Sequence, residues 1–186
     1  SEPIAFPTSA ALGKWLKENH AKSDELWVRI YKKDSGVPSV TWSDCVLQAL
    51  AWGWIDGQKK SLDSASFLQR LSPRRHKSGW SKKNREHAER LIAAGLMQSA
   101  GLAQVDAAKS DGRWDSAYAG SADMEIPQDF MSALAKEPAA MDFFATLNRA
   151  NLFAIYHRLH TAKKPATRIT RIERIVAQLA ERKPLH

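Results

Sequence analysis

Asp56, three arginines and Trp80 crowd the interval between residues 56 and 84, and their order suggests where an anion would be held. Pro73 ends the stretch SFLQRLSP, Arg74 and Arg75 follow it, and Ser78 or Ser81 opens a helical pattern. A helix start presents free backbone N–H groups carrying partial positive charge, so guanidinium heads and serine hydroxyls beside one can cradle phosphate or carboxylate. On this reading Arg70, Arg74, Arg75, Ser78, Ser81, Lys82 and Asn84 supply charge or donors, and Trp80 supplies a stacking face. The same residues have plainer uses. Serine at a helix start is a cap, tryptophan is a core side chain, and Lys82, Lys83 and Arg85 suit the wet side of a helix.

Asp56 stands between Ile55 and Gly57, close behind Trp52 and Trp54. In a pocket floored by Trp54 and Trp80 it would be a desolvated acid or base; as a turn anchor or arginine partner it would be structural. Cys45 falls on the apolar side of a helical pattern and reads as a small buried hydrophobe. His157 and His160 lie three apart, a spacing that permits metal ligation. Two ligands are too few, however, and no carboxylate follows on that face, so no metal or other cofactor is expected. The chain has no G-x-S-x-G elbow, P-loop or G-x-G-x-x-G, and His20, His76, His87 and His186 stand in no nucleophile context. Binding of an anionic small molecule or partner is therefore the leading expectation. A small enzyme built on Asp56 is the first alternative.

Charge supplies the second alternative. The net +8 is blocked along the chain: residues 1–58 carry −1, residues 59–90 carry +7, residues 91–142 carry −5 and residues 143–186 carry +7. Acidic and basic blocks can pair with one another or stay solvated; a basic face formed from both +7 blocks would attract nucleic acid. The last apolar stripe, Ile169, Ile172, Ile175, Val176 and Leu179, reads as an amphipathic helix docking on a core, with Arg171 and Arg174 on its other side.

The motif W-G-W-I-D-G, followed by F-x-x-R-x-S-P-R-R-x-x-S-x-W-S-x-x-N, resembles the signature of the bacterial YdeI/OmpD-associated family, also labelled bacteriocin protection. The likeness continues through Gly95, Met97, the run Asp111-Gly112-Arg113-Trp114 and the run from Ala162 to Arg168. The resemblance implies a small bacterial α+β protein in an envelope-stress or bacteriocin-protection setting, and it supplies no reaction, ligand or catalytic residue. Cys45 stands where such sequences are expected to carry alanine, which speaks against cysteine chemistry.

The elements that must position these side chains follow from periodicity. Residues 9–19 read as a helix capped by Thr8 or Ser9, and the alternation from Leu26 to Lys32 reads as a strand. Thr41 or Ser43 caps a helix running through Trp52, and strands near 54–62 and 66–72 join at Asp63-Ser64. From Ser81 the pattern is helical, over 81–94, 97–109, 127–136, 138–160 with a break, and 165–182. The expectation is an α+β fold: a small antiparallel sheet with covering helix in residues 1–80, a helical half in residues 81–186, and one cooperative domain. One cysteine and no basic, apolar leader in SEPIAFPTSAALGKW predict a cytoplasmic protein, and no segment approaches ~20 consecutive apolar residues. Nothing in the sequence specifies an oligomeric state.

Overall fold

The computed structural model describes residues 1–186 and has the expected α+β composition. Its internal contacts divide it into two compact units, Ser1–Ala117 and Tyr118–His186.

The first unit begins with β1 (Ile4–Ala5) and α1 (Ser9–Asn19), whose start is capped by the Thr8 hydroxyl accepting from the Ala11 N–H at 3.2 Å. Leu12 and Leu16, one turn apart, put the buried face of α1 on the core. β2 (Leu26–Tyr31) alternates as the sequence predicts, with Leu26, Val28 and Ile30 inward. α2 (Trp42–Ala51) starts in a reciprocal cap: Asp44 N–H donates to Thr41 Oγ1 at 3.1 Å, and Thr41 N–H donates to Asp44 Oδ2 at 2.9 Å. β3 (Trp54–Ser61) and β4 (Ser66–Pro73) form the antiparallel hairpin. Strand order is β1-β2-β4-β3.

Two details depart from the expected sheet. β1 pairs parallel to β2, so the sheet is mixed, and two residues are too few to show any periodicity. The β3–β4 register shifts between Asp56 and Lys59. Gln69, only 1% exposed, supports that bulge by donating Nε2–H to the Gly57 carbonyl at 2.8 Å. The buried amide thus satisfies a backbone oxygen that the interrupted ladder leaves over.

The sheet-bearing unit does not end near residue 80. α3 (Lys82–Ala93) and α4 (Ser99–Ser110) pack on the far side of α2, where Ala88, Leu91, Val105 and Ala108 meet Val46, Leu50 and Ala51 around Trp80 and Trp114. The change from strands to helices at residue 81 is a change of secondary structure within one compact unit, and the division between units comes at Ala117.

The second unit holds α5 (Gln128–Ala135), α6 (Pro138–Phe144), α7 (Arg149–His160) and α8 (Pro165–Ala180). The break expected within 138–160 separates α6 from α7, and Asn148 caps α7 by accepting from the Asn151 N–H at 3.0 Å. Phe130, Leu134, Ile155, Leu159, Ile175 and Leu179 form its core. Arg168 grips Asp129 with two bonds, 2.6 and 2.9 Å, and donates to the Leu159 carbonyl at 2.9 Å. No helix of either unit is long and apolar enough to cross a membrane.

α4 reaches α2 through glycine. A Cβ on Gly101 would lie 2.5 Å from the Ala51 oxygen and 2.6 Å from the Leu50 oxygen, both backbone atoms that cannot swing aside. Alanine in an open helix would gain about 1 kcal/mol over glycine, but overpacking of this kind costs about 1–3 kcal/mol and forces the helices apart. Gly101→Ala is therefore expected to lower the denaturant midpoint; an unchanged or raised midpoint would show that this close approach does not constrain α4.

Candidate functional site

The residues expected to hold an anion are distributed by the fold into different jobs. Arg70 lies on the face of β4 opposite to Leu71 and donates Nε–H to Glu25 at 2.7 Å, which holds the Glu25 carboxyl below its usual range. Arg74, 7% exposed, sits over the Trp80 ring, its guanidinium carbon 3.9 Å from the ring centroid. Its Nη1 donates to Ser78 Oγ at 3.3 Å and to the Gly79 carbonyl at 3.2 Å. Trp80 is 2% exposed and meets Trp114 edge to face at 5.0 Å, so the face proposed for stacking a ligand is already covered by protein. Ser81 is the cap of α3, accepting from the Asn84 N–H at 3.0 Å, and the Ser78 carbonyl accepts from Arg113 Nη1 at 2.8 Å. Arg75 and Lys82 are exposed, and Asn84 is half-buried.

What remains centres on Asp56. It pairs with Leu71 across the β3–β4 ladder and so shares the helix-covered face of the sheet. Burial pushes its carboxyl above the ordinary value of 3.8, outweighing its own backbone N–H, the Arg74 guanidinium and the His87 imidazole, all of which favour the charged form. His87, half-buried on α3, is pushed below the usual 6.5, first by burial and then by Lys83 and Arg90, while Glu86 and Asp56 act in the opposite direction. Three elements therefore bring a carboxyl, a guanidinium and an imidazole into one another's field. Such a set can hold an oxyanion or exchange a proton with a bound molecule.

His87 was not among the residues singled out from sequence. The spacing that locates it was present, because Asn84, His87, Ala88 and Leu91 recur at three- and four-residue intervals along the inward side of α3. The expected tryptophan floor is instead core: Trp54 is buried and donates Nε1–H to the His20 carbonyl at 3.2 Å.

Residues 4–104, more than half of the chain, match the family model described as a domain of unknown function, DUF8412. The chain belongs to that family. Residues 123–182 match a second model, described as bacteriocin-protection, YdeI or OmpD-associated, so the expected family is present over that segment. The tryptophan and arginine motifs at residues 52–84 lie in the DUF8412 segment, and the run from Ala162 to Arg168 lies in the second. No curated protein and no solved structure matches the chain.

Within the DUF8412 segment Cys45 packs against the sheet, fully buried, and its thiol is pushed up to about 12 by burial, with Asp44 and Asp56 adding to the effect. A thiol probe at pH 8 is expected to label it only at the rate of unfolding; fast labelling of the folded protein would place Cys45 in an accessible site. The Asp56 shift makes a second prediction. A raised folded value means that the stability linked to this group is fully present below its unfolded value and is lost as pH rises through the folded one. Asp56→Asn should therefore be more stable than wild type at neutral pH, with the difference shrinking as pH falls toward 3.8. His87 runs the other way: the stability it contributes is present above 6.5 and is lost as pH falls through its lower folded value. Denaturant titrations at several pH values read both effects, and a pH-independent difference for Asp56→Asn would contradict the assigned field.

Proposed function

We propose that the first unit binds a small anionic ligand, a phosphate or carboxylate compound, against Arg74, His87 and Asp56. The observation that carries this reading is the half-buried Asp56 carboxyl, whose protonated form burial favours, lying within the electrostatic reach of the Arg74 guanidinium and the His87 imidazole. An incoming oxyanion would meet a guanidinium and an imidazole, and a protonated Asp56 would donate to it instead of repelling it. Arg74 needs no reorganisation to take part, since Trp80 and the Gly79 carbonyl already fix its plane. We place this binding in the bacterial cytoplasm, the compartment suited to a chain with one buried thiol, and take the bacteriocin protection named in the second family's description as its setting.

A second reading, in which the same carboxyl and His87 act as a proton-transfer pair in a small enzyme, rests on the opposed pKa displacements of the two groups. Nucleic acid is less well supported. In the second basic block Arg168 is held by Asp129 and Arg171 donates to the Arg158 carbonyl and to Thr161, so these guanidiniums already have work within the unit.

The test compares melting temperatures in phosphate and chloride at equal ionic strength. At ten times its dissociation constant a ligand adds about 1.4 kcal/mol, or about 3–5 °C for a chain of this size. Because phosphate also stabilises proteins by exclusion, the comparison among variants is decisive. His87→Ala should lose at least half of the gain, whereas Arg75→Ala, exposed and outside the cluster, should keep it. Equal gains in wild type and His87→Ala would refute the site.

A further inference from the structure

A second binding surface lies on the first unit, away from Asp56. Along α1 the residues Ala10, Gly13, Lys14 and Lys17 recur at helical spacing and form one wall of a groove of about 640 Å³. Cavities of about 300–1,000 Å³ are the size that takes small molecules. The opposite wall and floor come from α2 and its cap, from the last turn of α3 and from the segment that follows it, and their side chains are mainly apolar: Leu47, Ala51, Trp52, Leu91 and Leu96. Leu96 is 58% exposed and Trp52 half-buried, so the groove offers apolar surface to water.

The two walls differ in chemistry along their length. At one end the α1 wall is made of small residues, and Gly13 is the narrowest point, since a Cβ there would fall 2.9 Å from Gln48 Oε1. Gln48 is held in place by donating Nε2–H to the Ser9 carbonyl at 3.2 Å and to Ser9 Oγ at 3.0 Å. At the other end stand Lys14 and Lys17, both exposed and adjacent on the helix surface, and no acidic side chain lines the groove to neutralise them. An apolar trough with positive charge confined to one end selects an occupant that is apolar along its length and negative at one end.

We propose that this groove binds a linear fatty-acid carboxylate, its headgroup at Lys14 and Lys17 and its chain along Leu47, Trp52, Leu91 and Leu96. Burial of the chain supplies the affinity, about 0.8 kcal/mol for each methylene fully removed from water. The lysines supply the preference for a carboxylate over an alcohol or a quaternary ammonium of the same length, because a rim charge discriminates by sign more than it adds affinity. Charge at one end and apolar side chains beside it favour a single-chain amphiphile with one anionic head as the occupant.

The experiment is displacement of a dansylated fatty acid from the full chain by decanoate, decanol and decyltrimethylammonium, each below its micelle concentration. Decanoate should compete with a midpoint about tenfold below those of the other two, a difference of about 1.4 kcal/mol. The double variant Lys14→Glu with Lys17→Glu should raise the decanoate midpoint by about tenfold and leave decanol unchanged, whereas Lys22→Glu, outside the groove, should change neither. Leu96→Asp, at a position 58% exposed, should weaken decanoate and decanol alike by about fivefold or more in a variant whose unfolding midpoint shows it folded. Failure of the probe to bind, equal competition by decanoate and decanol, or an unaltered decanoate midpoint in the charge-reversed variant would each overturn the proposal. Loss of the phosphate effect in His87→Ala would leave it standing, because that side chain lies outside the groove.

Discussion

α2 is apolar on two sides, and it leaves to water only its start and the strip through Leu47 and Gln48 between the two packed faces. Cys45 and Ala49 pack toward the sheet with Val28, Ile30 and Leu71, while Val46, Leu50 and Ala51 pack toward α3 and α4. Each layer therefore depends on α2 being in place. The reciprocal Thr41–Asp44 cap starts the helix at a defined residue, and Gly53, at φ +75°, turns the chain directly from its end into β3. A Cβ at Gly53 would lie 2.8 Å from the Ala100 oxygen, so α4 comes close at this turn as well. The position of Asp56, three residues further on, is thus set by the packing of a helix that it does not belong to.

Arg74 shows how the same packing gives a candidate ligand-binding side chain a structural task as well. Its backbone N–H donates to the Gly53 carbonyl at 3.0 Å, anchoring the end of β4 to the start of β3, and its guanidinium covers Trp80. A planar, weakly hydrated cation can lie on a buried indole at modest desolvation cost, which a lysine ammonium could not do as well. The charge is still felt. Together with His87 it opposes the effect of burial on Asp56, so the support also sets the electrostatics of the one carboxyl on the helix-covered face near it. Structure and chemistry here share a residue.

The open face of the sheet and the second unit use charge differently. Arg70 pairs with Glu25, Arg29 with Asp63, and Lys60 stands 4.6 Å over the Trp27 ring, so these cations on the sheet each have a partner within the first unit. In the second unit the Arg168–Asp129 clamp fixes α8 to α5, and Asn151 Oδ1 accepts from the Leu185 and His186 N–H groups to hold the chain end on α7. These exposed pairs each add little stability, roughly 0–1 kcal/mol, but they consume the cations from which a continuous basic surface would have to be built.

Sequence alone determined the elements whose signals are local. The 3.6-residue pattern located all the helices, the two-residue alternation located β2, and caps such as Thr8 and Ser81 marked starts to within a residue, because backbone hydrogen bonding and side-chain periodicity act over a few positions. It also singled out Asp56 and Arg74 as candidate site residues. Only the tertiary structure decided how they are used. The parallel β1 pairing, the continuation of the first compact unit to Ala117, the turning of Arg70 toward Glu25 and the coming of His87 into the electrostatic reach of Asp56 all join residues distant in the chain, and the closing of Arg74 onto Trp80 depends on the core around that ring. Those juxtapositions depend on which apolar faces meet and on which cation finds a carboxylate or an aromatic ring first. That outcome is settled by packing over the whole unit, and no local spacing encodes it.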